Sequence, residues 1–223
     1  MKIFRIIIAV LLLPLLVVCI YNFIKTIFAF AGTTNLSMVP FWLGIIIYFI
    51  FQAVFFKPMR TYVFGHELTH ALTGLLSGAR IKKFKVSKNS GSVSLTKDNI
   101  FITLSPYFIP IYSLLIIIIY LFLAWFIDVK PFYSYYLFLS GIALAFHLAL
   151  TFYAIKIGQS DMKVYGVFFS LVIVCLINVV MLSIVLALIF PHNINIITLF
   201  SNILSDTVSI YKYLFFDIWI SSK

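Results

Sequence analysis

Two histidines and a glutamate stand in a pattern that can bind a metal ion and use it for hydrolysis. In the segment His66-Glu67-Leu68-Thr69-His70 the histidines are four positions apart, so on a helix they lie one turn apart on one face. That spacing lets two imidazoles reach one Zn²⁺ at about 2.0–2.1 Å. The metal lowers the pKa of water to about 7, and Glu67 can take the proton. The segment therefore predicts a hydrolytic zinc site with His66 and His70 as metal ligands and Glu67 as the catalytic base.

The composition of the chain makes this short pattern more informative than it would be in an average protein. The 223 residues include four histidines and a single glutamate, and that glutamate occupies the base position. The pattern also lies within an apolar run, where ionisable groups are costly and by default indicate function. A structural histidine pair beside an incidental glutamate is the alternative.

A hydrolytic zinc site normally has three protein ligands and one open position, so a third ligand must come from elsewhere. A second glutamate is absent, and a longer pattern with a glycine and a third histidine fails at Thr73 and Leu76. The remaining candidates are the other acidic and histidine side chains: Asp98, Asp128, Asp161, Asp206, Asp217, His147 and His192. We favour Asp161, in the polar interruption 156–163 between two apolar runs. A solvated loop aspartate is the alternative there, and for His147 a hydrogen bond between helices is favoured over metal binding.

The elements that carry these residues belong to a membrane protein. The chain is 64% hydrophobic and only 10% charged, whereas soluble domains have about 25% charged residues. Its apolar runs fall at about 6–30, 40–56, 62–78, 100–127, 132–155 and 164–190. Runs of roughly 18 residues predict transmembrane helices. We expect an all-α polytopic membrane protein with about six transmembrane or membrane-embedded helices.

The domain organisation follows from the same runs, which leave no room for a soluble domain. We expect one membrane-embedded domain over 1–223, with its core at 40–190 and with 191–223 as an interfacial tail or a weak extra span. The net charge of +10 comes mostly from short connectors, where the positive-inside rule places basic residues. We therefore expect no nucleic-acid partner.

One connector, 79–99, differs from the others. Apolar and polar residues alternate on both sides of a turn sequence at 89–91, around Phe84 before it and Val93 after it. This pattern predicts one short membrane-associated β-hairpin over about 81–96. A plain loop is the alternative.

The charges also bear on topology. The connectors 57–60 and 80–97 are both basic, so the positive-inside rule places both in the cytoplasm. That requires the helix of run 62–78 to dip into the membrane or to pack inside the bundle without crossing. The loop with Asp161 then lies on the same side as the start of this helix, which agrees with its choice as third ligand.

From about Phe64 to Asp161 the sequence resembles the site-2 protease family of intramembrane zinc metalloproteases, especially its small bacterial members. The similarity is strongest in Gly-His-Glu-Leu-Thr-His-Ala at 65–71 and continues in Ser-Gly-Ser-Val at 90–93. The resemblance implies two histidine ligands, a glutamate base, a hairpin after the motif helix, and an aspartate near a later helix end as third ligand. In the family that aspartate usually precedes a glycine, whereas here Met162 follows.

The expected function is that of a zinc-dependent intramembrane endopeptidase, cleaving a peptide bond in or near a transmembrane segment of its substrate. The expected partners are a membrane-protein or membrane-peptide substrate and the lipid bilayer, with the protein a multi-pass component of a bacterial cytoplasmic membrane. One alternative is a zinc protease of another class acting on lipidated or juxtamembrane C-termini. Another is a non-catalytic polytopic membrane protein, of transport, assembly or immunity type, whose His-Glu-x-x-His motif is coincidental or degenerate.

Overall fold

The computed structural model describes residues 2–33, 36–55, 57–87 and 90–217, most of which are helical. The helices are α1 (Lys2–Gly32), α2 (Val39–Val54), α3 (Met59–Leu76), α4 (Ile100–Leu104), α5 (Ile111–Leu123), α6 (Tyr133–Ile157), α7 (Ser160–Val164), α8 (Val167–Ile189) and α9 (Ile196–Lys212). The strands are β1 (Ile81–Val86) and β2 (Gly91–Leu95). The chain forms two compact units, one of Met1–Thr34 with Tyr165–Lys223 and the other of Asn35–Val164. The expectation of a single domain over 1–223 remains a prediction.

Four helical segments are long and apolar enough to cross a membrane: Lys2–Gly32, Leu36–Val54, Lys130–Ile157 and Val167–Ile189. A fifth is reached if α4 and α5, with the turn between them, count as one bent span. The coarse prediction of an all-α membrane protein with a hairpin is therefore confirmed, whereas the count of about six spans is not. Most of run 62–78 belongs to α3. This helix is not among the candidate spans, because its polar motif residues lower its mean hydropathy.

The predicted run 100–127 is sharply bent. The short helix α4 passes into a 3-10 turn at Ser105–Tyr107, and α5 begins after it at an angle of 80°. Pro106 is the second residue of the turn and Pro110 precedes α5, and neither proline has an N–H with which to continue a helix. The run therefore changes direction completely near its start, and Tyr107 in the turn is buried in the protein interior.

In the unit Asn35–Val164, α2 and α6 pack backbone against backbone. A Cβ at Gly44 would meet the carbonyl oxygen of Phe138, and one at Gly141 would meet that of Phe41. Small residues of this kind allow close helix approach in membranes. The helix α6 ends at Gly158, whose positive φ of 68° forms a left-handed C-cap. This cap directs the chain into α7.

The hairpin predicted over 81–96 is present. Strands β1 and β2 are antiparallel, Phe84 pairs with Val93, and a bulge lies between Ile81 and Lys83. The hairpin packs on α3, where a Cβ at Gly74 would have no room beside Leu95. Asn89 of the predicted turn lies outside the described residues.

In the other unit, α9 packs on α1. Val18 and Cys19 of α1 form a buried cluster with Leu199 and Ile203 of α9, and α9 begins at Asn195, whose side chain accepts a hydrogen bond from the Thr198 N–H. This helix occupies much of the predicted tail 191–223 and is not among the segments apolar enough to span.

Candidate metal centre

The helix α3 presents both motif histidines to one side. The ring centroids of His66 and His70 are 4.8 Å apart, as expected for positions one turn apart. Glu67 lies beside them and is only 8% exposed. Gly65 lets α3 pack closely against Tyr112, since a Cβ at this position would overlap the tyrosine ring.

Asp161 on α7 completes a group of three donors. Its Oδ2 lies 3.2 Å from Nε2 of His66 and 3.6 Å from Nε2 of His70. The three donor atoms lie within 4.8 Å of one another, and among the described residues they form the group that could hold a metal ion. Two imidazole nitrogens and one carboxylate oxygen suit several first-row divalent metals. The donor set therefore fits a metal site without identifying the metal.

Hydrogen bonds outside the donor group orient the histidines. Nδ1 of His70 lies 2.8 Å from the carbonyl oxygen of Ile102. A carbonyl can only accept, so Nδ1 carries a proton, and Nε2 is the ring nitrogen directed at Asp161. Histidine ligands of metals are commonly fixed in this way by a carbonyl on the other ring nitrogen.

Tyr107 contacts the same group from the turn after α4. Its hydroxyl donates towards Oε1 of Gln159 at 2.7 Å and towards Oδ2 of Asp161 at 3.0 Å, and its ring stands edge-on to that of His66. The sequence prediction did not include Tyr107 or Gln159. The proximity of Gln159 to Asp161 in the polar interruption was a usable indication, but nothing in the sequence brings Tyr107 to that place.

The electrostatics of the two carboxylates differ. Burial alone would raise the pKa of Asp161, but its hydrogen bonds with His66 and His70 hold that pKa well below the usual range. Burial raises the pKa of Glu67, opposed by the two histidines and by the backbone N–H of Val93. Asp161 is therefore suited to be an ionised ligand, and Glu67 is the more basic of the two.

A cavity of about 570 Å³ opens onto this group, and His66, Glu67, His70 and Asp161 all line it. The size is within the range of small-ligand sites. The strand β2 forms another wall, in direct contact with Glu67: a Cβ at Gly91 would lie 2.5 Å from Cγ of Glu67. A glycine is needed there because of this close approach.

The other third-ligand candidates are not part of the donor group. Asp98 lines the cavity but accepts a hydrogen bond from Thr103, and Asp128 accepts from the N–H of Lys130. His147 is buried within α6. The remaining candidates, Asp206, Asp217 and His192, belong to the other unit. Asp206 accepts a hydrogen bond from Asn22, and His192 is exposed. Of the predicted alternatives, Asp161 is the one that the fold brings to the two histidines.

Comparison of the chain with protein-family models, with curated proteins and with solved structures gave no match. The three donors could hold a metal ion, and Glu67 lies beside them on the same cavity.

Proposed function

We propose that this protein is a zinc-dependent intramembrane endopeptidase, which hydrolyses a peptide bond in or near a transmembrane segment of its substrate. The observation that carries the proposal is the convergence of His66, His70 and Asp161 within 4.8 Å, with Glu67 on the cavity that they line. Three protein ligands of this type with one open position are typical of hydrolytic zinc sites. The proposed family is that of the site-2 proteases, on the same residues.

In the proposed reaction, His66, His70 and Asp161 would hold a Zn²⁺ ion, whose Lewis acidity would lower the pKa of water and polarise a carbonyl. Glu67 accepts a proton from the attacking water, whose oxygen bonds to the scissile carbonyl carbon. The protonated Glu67 then gives that proton to the leaving amine nitrogen as the C–N bond breaks. The burial of Glu67 supports this role, since it favours a carboxylate that can both take and return a proton.

We propose that the substrate backbone binds along strand β2. A transmembrane helix must unwind before cleavage because its peptide groups are bonded within the helix. Within the described residues the sheet consists of β1 and β2 alone, and β2 lines the cavity with its Val93 N–H directed at Glu67. An extended substrate strand added along this edge would run past Glu67, which β2 already contacts.

The depth of the cavity relative to the membrane favours cleavage of a peptide bond near the end of a substrate helix. Its walls include Gln159 and Ser160, just after α6 ends, and the charged connector residues Lys97 and Asp98. Helix ends and charged connectors lie near the membrane surface. The proposed substrate is therefore a membrane protein or peptide, cleaved close to the interface.

The test is Glu67→Gln in the purified full-length protein, assayed with a mixture of single-span membrane proteins and with products read by mass spectrometry. We expect cleavage to fall by at least about 100-fold, since removal of a general base costs that much, while bound zinc is retained. Asp128→Asn, which alters a carboxylate in an exposed connector away from the cavity, should cleave normally. Unchanged cleavage in Glu67→Gln would exclude the mechanism, and a wild-type protein without stoichiometric zinc would favour the non-catalytic alternative.

A further inference from the structure

The helix α4 and the turn that follows it together touch all three proposed ligands. The Ile102 carbonyl accepts from Nδ1 of His70, the Tyr107 ring packs on His66 at a centroid distance of 5.4 Å, and the Tyr107 hydroxyl reaches Asp161. A single six-residue stretch therefore supports side chains that come from two separate helices.

This turn is itself fixed. The hydroxyl of Ser105 donates to the Ile102 carbonyl at 3.0 Å and lies 2.9 Å from the hydroxyl of Thr73 on α3. Pro106 restricts the backbone of the turn, and Ser105, Pro106 and Tyr107 are all buried. The Tyr107 hydroxyl thus projects from a rigid support towards Asp161.

The segment that carries Asp161 has less support of its own. The helix α7 has five residues and follows the left-handed Gly158, around which a Cβ would meet nothing within 4 Å. Its contacts with the rest of the unit include the buried Met162 and the two acceptors of the Tyr107 hydroxyl, Gln159 and Asp161. The position of the third ligand therefore depends on contacts made to α7 by its neighbours.

We propose that Tyr107 is a positioning residue of the metal centre: its hydroxyl, donating to Oδ2 of Asp161, sets the carboxylate in the orientation that faces His66 and His70. This inference rests on the metal site of the proposed function. Oδ2 is the atom closest to both histidines, so a hydrogen bond to that oxygen fixes the donor atom itself. Loss of such an outer hydrogen bond typically weakens metal binding 10–100-fold.

The Tyr107 hydroxyl has one proton and two acceptors. The shorter contact is to Gln159 and the longer one to Asp161, so the two compete. Tyr107→Phe removes the hydroxyl and keeps the buried ring. Gln159→Leu removes the competing acceptor and keeps the hydroxyl, so the two variants separate positioning of Asp161 from general tethering of α7.

The experiment is a zinc titration of the full-length protein in detergent against a chelator of known affinity, with Tyr112→Phe as the matched control. The Tyr112 hydroxyl likewise makes a hydrogen bond within this unit, to the Thr61 carbonyl of α3, but it contacts no proposed ligand. We expect Tyr107→Phe to bind zinc about 10-fold more weakly or worse, with an altered visible spectrum of the Co²⁺-substituted protein. Tyr112→Phe and Gln159→Leu should bind close to wild type, and all variants should share its unfolding temperature.

Wild-type zinc affinity in Tyr107→Phe would overturn the proposal. An equal loss in Gln159→Leu would also overturn it, because tethering of α7 and not the bond to Asp161 would then be the cause. The titration does not depend on cleavage. A wild-type protein that binds zinc and cleaves nothing would refute the proposed peptidase and leave the role of Tyr107 intact, whereas a wild-type protein that binds no zinc would refute both.

Discussion

Oδ2 of Asp161 lies 3.2 Å from Nε2 of His66, although the two residues are 95 positions apart in the chain. The contact joins the short helix α7 to the middle of α3. It converts the two histidines, which alone would be an incomplete set, into a three-donor group with the composition of a hydrolytic metal site. The catalytic proposal depends on this contact more than on the motif itself.

Asp161→Ala tests the contact directly. Removing one of three ligands should leave the two histidines with too little affinity to retain zinc through gel filtration in the presence of a chelator. Metal analysis of the eluted protein should give less than about a tenth of the wild-type content, since even the loss of a partner outside the ligand set costs 10–100-fold. Asp128→Ala, in an exposed connector, is the matched control and should keep its metal. Full zinc content in Asp161→Ala would assign the third ligand elsewhere.

Gly91→Ala tests the packing of β2 on the proposed base. The added methyl would lie 2.5 Å from Cγ and 2.8 Å from Oε1 of Glu67, so either the carboxylate or the strand must move. Since a shift of about 1 Å at a reacting group can cost 100-fold, we expect a loss of cleavage of that order. The zinc content should be unchanged, because the ligands are not touched.

The nearby substitution Ser94→Ala is the control for Gly91→Ala. Ser94 is an exposed residue of the same strand, and its replacement adds no atom near Glu67. Its cleavage rate should match that of the wild type. Equal rates in Gly91→Ala and wild type would show that the reacting geometry does not depend on this close approach.

The sequence predicted the parts of this site that depend on local periodicity. The four-residue spacing of His66 and His70 determines their common face, and the alternation around Phe84 and Val93 predicts the hairpin. Asp161 could be favoured because the topology argument limited which loops reach the start of α3. Charge distribution and helix period carry this information without any knowledge of packing.

The remaining features required tertiary structure. The 80° bend of the run 100–127 exceeds what two prolines predict, since proline ends a helix without fixing the direction of the next one. That direction brings Tyr107 to Asp161. The contact of Gly91 with Glu67 depends on how the hairpin folds back onto α3, whereas the sequence alone indicated only a turn residue. The count of about six transmembrane or membrane-embedded helices is not confirmed, since four segments, or five with the bent pair, are long and apolar enough to span, and α3 contains buried polar residues.

The side of the membrane reached by each connector is the last testable consequence. Lys57, just before α3, lies 3.7 Å from the ring centroid of Tyr153, one turn from the end of α6. The hairpin after α3 lines the cavity together with Gln159, just beyond that same end. Both flanks of α3 therefore lie at one end of α6, and α3 should not cross the membrane.

Single-cysteine variants can measure this arrangement with a membrane-impermeant maleimide, after Cys19 and Cys175 are replaced. We expect Lys57→Cys and Lys83→Cys to react in membrane vesicles of the same orientation, with the charge bias placing both on the cytoplasmic side. Asp128→Cys, before α6, is the reference and should react only in vesicles of the opposite orientation, because α6 is long and apolar enough to span. If Lys57→Cys and Lys83→Cys react from opposite sides, α3 crosses the membrane and the proposed placement of the metal centre near one surface is wrong.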